Sequence, residues 1–144
     1  MTQECPEERA LTRWQQFWLV AGLAVVLSGF LMATRVEPDP RGFGTHQQFG
    51  LPPCSFYDFF GIPCPSCGGT TCASHFVRGE WVLAADANPG VFGLMLVSLA
   101  YVPWAGVCLR KRRYIAVDDP LGAAIWILLT LGVITAVQWI LRLL

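Results

Sequence analysis

Three long apolar stretches of the sequence contain no charged residue, and they restrict the possible folds more than any other feature. They occupy residues 17–33, 90–109 and 121–141, and are 17, 20 and 21 residues long. A surface helix of a water-soluble protein interleaves charged and apolar residues to keep one face wet, and these stretches do not. Their lengths match the hydrocarbon thickness of a bilayer. The sequence therefore predicts an all-α integral membrane protein with three transmembrane helices, over about residues 14–34, 89–109 and 120–141.

The length and charge of the chain limit the number of domains and the classes of partner that we expect. Its 144 residues fit one domain, so we predict a single membrane domain over residues 1–144. Lys and Arg together number 10, as do Asp and Glu, and this balance lacks the basic excess of a nucleic-acid-binding protein. We expect the lipid bilayer and other membrane proteins as partners, and no nucleic acid.

The second and third predicted spans begin with the same pattern. Asn88-Pro89 and Asp119-Pro120 each place a capping side chain before a proline at the first helical position. Proline is tolerated there because the N–H group that it lacks would have no partner within the helix. These two dipeptides predict where the second and third helices begin.

A run of basic residues indicates the orientation of the chain. Arg110, Lys111, Arg112 and Arg113 follow the second span directly. Positive charge beside a span favours the cytoplasmic side of a membrane. We therefore predict a multi-pass protein of the plasma (inner) membrane with a cytoplasmic N-terminus and an external segment over residues 35–87.

The external segment is rich in cysteine, proline and glycine. It contains four of the six cysteines, namely Cys54, Cys64, Cys67 and Cys72. The prolines and glycines exclude a long helix or strand before Gly69. We predict a short interfacial helix after Gly69, running to about residue 84 and capped by Thr70 or Thr71. On that helix Cys72 and His75 would share one face, three residues apart, and look back toward the Cys64–Cys67 turn.

The core of this segment, Gly-Ile-Pro-Cys-Pro-Ser-Cys-Gly-Gly-Thr over residues 61–70, resembles a bacterial membrane-protein family with a CPxCGxT core. That family is catalogued as domain of unknown function 2752. The resemblance covers the chain from about Cys54 to the end of the second span, and it implies a small protein with a few helical spans. Many members have Arg directly after the Thr, where this chain has Thr71. The motif residues are Gly61, Pro63, Pro65, Gly68, Thr70, Gly79, Asn88 and Pro89.

The first hypothesis for the cysteines is a disulfide staple. Cysteines that face an oxidising compartment pair readily, and four of them allow three connectivities. The stapled loop would be the contact surface of a small membrane scaffold or accessory subunit. This role would be non-enzymatic.

The second hypothesis is a metal site. A Cys-Pro-x-Cys-Gly turn presents two sulfur atoms to one ion, and its glycine permits the positive φ that turns the chain. Cys54, with either Cys72 or His75, would complete a tetrahedral ligand set for zinc.

The third hypothesis is thiol–disulfide exchange through Cys64-Pro-Ser-Cys67. A Cys-x-x-Cys pair just before a helix lowers the pKa of a thiol, because the N-terminal end of a helix favours the thiolate. Cys64 would be the attacking residue and Cys67 the resolving one.

Overall fold

The structure, a computed structural model, describes residues 10–144. Within these residues the chain consists only of helices and loops, which confirms the predicted all-α class. Six α-helices and one 3₁₀ turn are present: α1 (Arg13–Thr34), the 3₁₀ turn (Thr45–Phe49), α2 (Ser55–Phe60), α3 (Gly69–Val77), α4 (Trp81–Ala87), α5 (Pro89–Lys111) and α6 (Pro120–Leu143).

Helices α1, α5 and α6 are the three long helices. They contain 22, 23 and 24 residues, and each is long and apolar enough to cross a membrane. Their bounds lie within two residues of the predicted spans. Many of their large apolar side chains are exposed, and α6 has no buried residue at all. A helix with this surface is suited to contact lipid rather than water.

The predicted starts of α5 and α6 are present in the structure. The side-chain oxygen of Asn88 accepts a hydrogen bond from the N–H of Val91 at 3.0 Å. Asp119 accepts one from the N–H of Gly122 at the same distance. Each cap thus satisfies a backbone donor that has no partner within its helix.

The basic residues lie at one end of the bundle, together with the start of α1. The N–H of Leu11 donates to the carbonyl of Arg112 at 2.6 Å. Arg110 and Lys111 lie in the last turn of α5, where positive charge complements the helix dipole. We call this the basic end, and it comprises residues 10–13 and 110–120.

Residues 35–88 form a loop layer at the opposite end of the bundle. The guanidinium of Arg78 ties this layer to α1 through the carbonyl of Ala33 at 3.5 Å, and it also donates to the carbonyl of Val36, just beyond α1, at 2.6 Å. Arg142 of α6 donates to the carbonyl of Ala87 at 3.0 Å and also to that of Asp86. Helices α1 and α6 therefore hold the loop layer in place.

The prediction of one helix from Gly69 to about residue 84 is wrong. Helix α3 ends at Val77, and α4 begins at Trp81. Gly79 lies between them with φ +80°, a left-handed conformation that ends a helix and reverses the chain. Residues 69–87 therefore form a hairpin of two short helices.

The predicted cap of that helix is also wrong. Gly68 is the N-cap of α3, and no side chain caps this end. Thr70 lies half-buried within the first turn. Thr71 is fully buried, and its hydroxyl pairs with that of Thr45 at 2.8 Å, which fastens the 3₁₀ turn to α3.

Candidate thiol site

Two chain reversals bring three cysteines of the loop layer together. Cys54 is the N-cap residue of α2, and Gly61 ends that helix with φ +69°. The chain then returns and makes a tight turn in which the N–H of Cys67 donates to the carbonyl of Cys64 at 3.0 Å. Because α2 spans only six residues, the turn comes back beside Cys54.

The sulfur atoms of Cys54, Cys64 and Cys67 all lie within 4.8 Å of one another. The Sγ atoms of Cys64 and Cys67 are 3.1 Å apart, and the N–H of Cys64 also donates to Sγ of Cys67 at 3.2 Å. Three sulfurs bound to one zinc ion at about 2.3 Å would stand about 3.8 Å apart. The group therefore fits three ligands of one ion after shifts of less than about 1 Å.

All five cysteines in the described part of the chain are free thiols. Cys67 is buried, whereas Cys54 and Cys64 are half-buried, so the group opens to the surface on the side of the latter two. Cys5 lies outside the described residues.

Gly68 permits the turn to pack closely against the end of α4. Its φ is +88°, and a Cβ atom there would overlap the carbonyl oxygen of Ala87 and lie 3.0 Å from that of Gly42. Glycine is thus required at this position both by backbone conformation and by space.

Two residues, one at the start of α5 and one in α6, donate hydrogen bonds to the turn. The buried side-chain amide of Asn88 donates to the carbonyls of Pro65 at 3.2 Å and Cys67 at 3.4 Å, in addition to capping α5. The indole N–H of Trp139 in α6 donates to the carbonyl of Pro63 at 2.6 Å. The two prolines of the motif therefore serve as hydrogen-bond acceptors for α5 and α6.

The pKa values of Cys54 and Cys67 are shifted in opposite directions. The backbone N–H of Tyr57, followed by the neighbouring Cys67 and Cys64 thiols, lowers the pKa of Cys54 to about 7. Burial, followed by the thiols of Cys64 and Cys54, raises the pKa of Cys67 to about 12. The lowered pKa gives Cys54 thiolate character near neutral pH. The assignment of Cys64 as the attacking residue stays a prediction.

The two residues expected to complete a ligand set, Cys72 and His75, are not part of the three-sulfur group. Cys72 is fully buried among Phe76, Ala84 and Ala87, and burial raises its pKa to about 12. His75 instead pairs with Glu80, with 2.5 Å between Nδ1 and Oε2.

Two sets of hydrogen bonds to the turn are not predicted from the sequence: the one from Trp139 and those from the side chain of Asn88. Trp139 lies 76 residues from Pro63. No local pattern links two such distant positions. The motif did indicate that Asn88 mattered, but its hydrogen-bond partners in the turn are 21 and 23 residues away.

Residues 54–102 match the family model described as protein of unknown function (DUF2752). This match lies within the part of the chain over which the sequence resembles that family. The segment begins at Cys54 and contains all three sulfurs, the α3–α4 hairpin and the first part of α5. No curated protein and no solved structure matches the chain.

Proposed function

We propose that this chain is a membrane-anchored metal-binding module in which Cys54, Cys64 and Cys67 hold one thiophilic ion, with zinc as the first candidate. The observation that carries the proposal is the convergence of three sulfurs within 4.8 Å. A disulfide uses two sulfurs, whereas a metal ion uses all three. Thiolates prefer soft or borderline ions such as Zn²⁺ and Cu(I).

The anchoring of the turn supports a site that is built before the ion arrives. The backbone around Cys64 and Cys67 is held by Asn88 and Trp139. A turn that is already ordered loses less conformational entropy when its sulfurs bind an ion. The fourth coordination position would be filled by water or by a donor from a partner, because Cys72 and His75 lie outside the group.

Metal content tests the proposal directly. The protein is purified in detergent without oxygen or chelators, and bound metals are counted by mass spectrometry. We expect one ion per chain in the natural sequence and a large loss in Cys54→Ser, Cys64→Ser and Cys67→Ser. Cys72→Ser and Cys108→Ser are the matched controls, because both thiols are buried outside the group. Metal-free protein with reduced thiols, or equal metal in all five variants, would exclude the proposal.

Thiol–disulfide exchange is the second candidate, and the lowered pKa of Cys54 favours it. The Cys54 thiolate would attack a disulfide of a partner protein and release one of its thiols. Cys64 would then displace the second thiol and leave a Cys54–Cys64 disulfide in this chain. Reduction of a disulfide-containing protein that stops in Cys54→Ser, in metal-free samples, would support this function.

The orientation of the site is part of the proposal. The basic end and the loop layer lie at opposite ends of the bundle. If the basic end is cytoplasmic, as positive charge beside a span favours, the thiols face outward across the plasma (inner) membrane. A membrane-impermeant thiol reagent added to intact cells would label Cys54 in that orientation and leave it unlabelled in the opposite one.

We further propose that the module acts as an accessory subunit for other membrane proteins. One face of α6, lined by Ile125, Leu129, Gly132 and Ala136, forms an open apolar groove. Apart from the adjacent backbone of α6, nothing in residues 10–144 lies within 4 Å of the place where a Cβ of Gly132 would stand. Cross-linking from position 132 in native membranes to one defined protein would support this role, and cross-links to lipid alone would count against it.

A further inference from the structure

We infer that the α3–α4 hairpin (residues 69–87) is seated in the lipid near one surface of the bilayer and that Trp81, Val82 and Leu83 contact lipid directly. This inference is independent of the metal and redox proposals.

The depth of the hairpin follows from the residues on which it packs. Its buried side chains contact Phe30 of α1 and Phe92 and Met95 of α5. Phe30 lies about 6 Å before the end of α1 and Met95 about 9 Å after the start of α5, at 1.5 Å per residue. Helix α5 is about 35 Å long, which exceeds the hydrocarbon thickness of a bilayer by only about 5 Å. These contacts are therefore made at hydrocarbon depth.

Phe76 is the side chain by which the hairpin packs between α1 and α5. Its ring centroid lies 6.3 Å from that of Phe30 and 5.7 Å from that of Phe92, and its side chain is buried. Trp81, at the start of α4, stacks on the other side of Phe76 with 6.2 Å between centroids. The hairpin is thus fixed against α1 and α5, and α4 faces outward.

The outward face of α4 is apolar. Trp81, Val82 and Leu83 are 54%, 76% and 51% exposed, whereas Ala84 and Ala87 are buried. Three large exposed apolar side chains in succession are unfavourable in water and mark a surface suited to lipid. Tryptophan is enriched at the level of the headgroups, where its ring is apolar and its N–H polar.

Arg78 and Glu80 of the hairpin have hydrogen-bond partners within the protein. Arg78 donates to the carbonyl of Val36 and to the hydroxyl of Ser74, at 2.6 and 2.5 Å. Glu80 pairs with His75, with 2.5 Å between Oε2 and Nδ1. Partners of this kind within the protein lower the cost of placing these groups beside lipid. The remaining acid, Asp86, lies at the far end of α4, where Arg142 donates to its backbone carbonyl.

Quenching of tryptophan fluorescence in reconstituted vesicles tests the position of α4. The protein and its Trp81→Phe variant are compared in lipids brominated near the headgroup end or near the tip of the acyl chains, and with aqueous iodide. The difference between the two proteins is the emission of Trp81. We expect strong quenching of this emission by bromine near the headgroups, weaker quenching by bromine at the tips, and little by iodide.

Trp126→Phe is the matched control, because Trp126 lies in α6 and is 72% exposed, so its emission should also be quenched by brominated lipid. Circular dichroism verifies that both variants remain folded. If iodide quenches Trp81 and brominated lipid does not, α4 faces water and the inference is wrong. If neither quencher acts on Trp81 while both lipids quench Trp126, protein covers α4, and the inference is equally wrong.

Discussion

The indole N–H of Trp139 donates to the carbonyl of Pro63 at 2.6 Å, across 76 residues of chain. Through this bond α6 holds the segment that leads into the Cys64–Cys67 turn. The ring of Trp139 also meets that of Phe56 on α2, with 6.2 Å between centroids. Trp139 therefore contacts both segments that position the cysteines, namely α2 after Cys54 and the residues before Cys64.

Replacing Trp139 with Phe should weaken the site without unfolding the bundle. The apolar ring is retained and the hydrogen bond is lost, which leaves a backbone carbonyl without its donor at a cost of about 1–2 kcal/mol. We expect a several-fold lower metal affinity and faster hydrogen exchange over residues 61–68. Trp126→Phe in the same helix is the control, since Trp126 makes no such bond to the loop layer. Equal affinities in both variants would show that α6 does not support the turn.

Two substitutions should separate the two roles of Asn88, which are to cap α5 and to support the Cys64–Cys67 turn. Asn88→Ser keeps an N-cap for α5, but serine is too short to reach the carbonyls of Pro65 and Cys67. Asn88→Ala removes both the cap and the support of the turn, and we expect it to lower stability by about 1–2 kcal/mol more than Ser. Hydrogen exchange should accelerate over residues 64–68 in both variants, and in the first turn of α5 only in Asn88→Ala. Protection of residues 64–68 in both variants would contradict this assignment.

Gly68→Ala should be far more damaging than Gly61→Ala. Both glycines have positive φ, so each substitution carries a backbone cost of about 1–2 kcal/mol. Gly61 has nothing within 4 Å of the added atom, whereas at Gly68 the atom would overlap the carbonyl oxygen of Ala87. Thermal unfolding and metal content of the two variants check the difference. Similar melting temperatures would show that the turn can shift away from α4.

The thiols should react in the order of their pKa values when the protein is metal-free and reduced. Only the thiolate is nucleophilic. Alkylation of Cys54 should therefore reach half of its maximal rate near pH 7 and level off at higher pH, in keeping with its pKa of about 7. Alkylation of Cys67 and Cys72, with pKa values of about 12, should still be rising at pH 10. Peptide mass spectrometry after short pulses of iodoacetamide measures each rate. A Cys54 rate that keeps rising beyond pH 9 would refute the assignment of the thiolate.

Packing between α5 and α6 should depend on Gly90. A Cβ at this position would overlap the hydroxyl of Thr135 and lie 2.9 Å from the carbonyl of Leu131. Gly90→Ala should therefore separate the two helices and lower the melting temperature in detergent. Gly106→Ala, in the same helix with open space around it, should leave the melting temperature unchanged or raise it slightly. The reverse ranking would mean that α6 packs elsewhere on α5.

The long helices could be predicted because their signals are local. Absence of charge over a bilayer thickness, and the Asn-Pro and Asp-Pro entries, are properties of adjacent residues. The α3–α4 hairpin could not be predicted in the same way. A glycine such as Gly79 is tolerated within a helix or ends one. In the structure its neighbour Arg78 donates to the carbonyl of Val36, just beyond α1 and 42 residues away, and no local pattern shows that contact. The sequence alone therefore overestimated the length of this helix.

The candidate site was partly predictable for a related reason. Cys64 and Cys67 are brought together by one turn, and Cys54 by one short helix and its glycine. The prediction that Cys72 or His75 completes the ligand set rested on helical spacing. Such spacing shows that two residues share one face of a helix, but not what that face contacts. Cys72 faces the apolar interior of the hairpin and His75 faces Glu80, because α4 folds back beside α3.

The bond between Pro63 and Trp139 also imposes an order on biosynthesis. A ribosome that adds about 5–20 residues per second needs about 4–15 s to pass from the first of these residues to the second. During that interval the cysteines have left the ribosome's catalytic centre, while the helix that completes their support has not yet been made. A metal site of the proposed kind therefore requires thiols that stay reduced and unpaired for seconds in a nascent chain, and any factor that shields them would have to act before α6 is made.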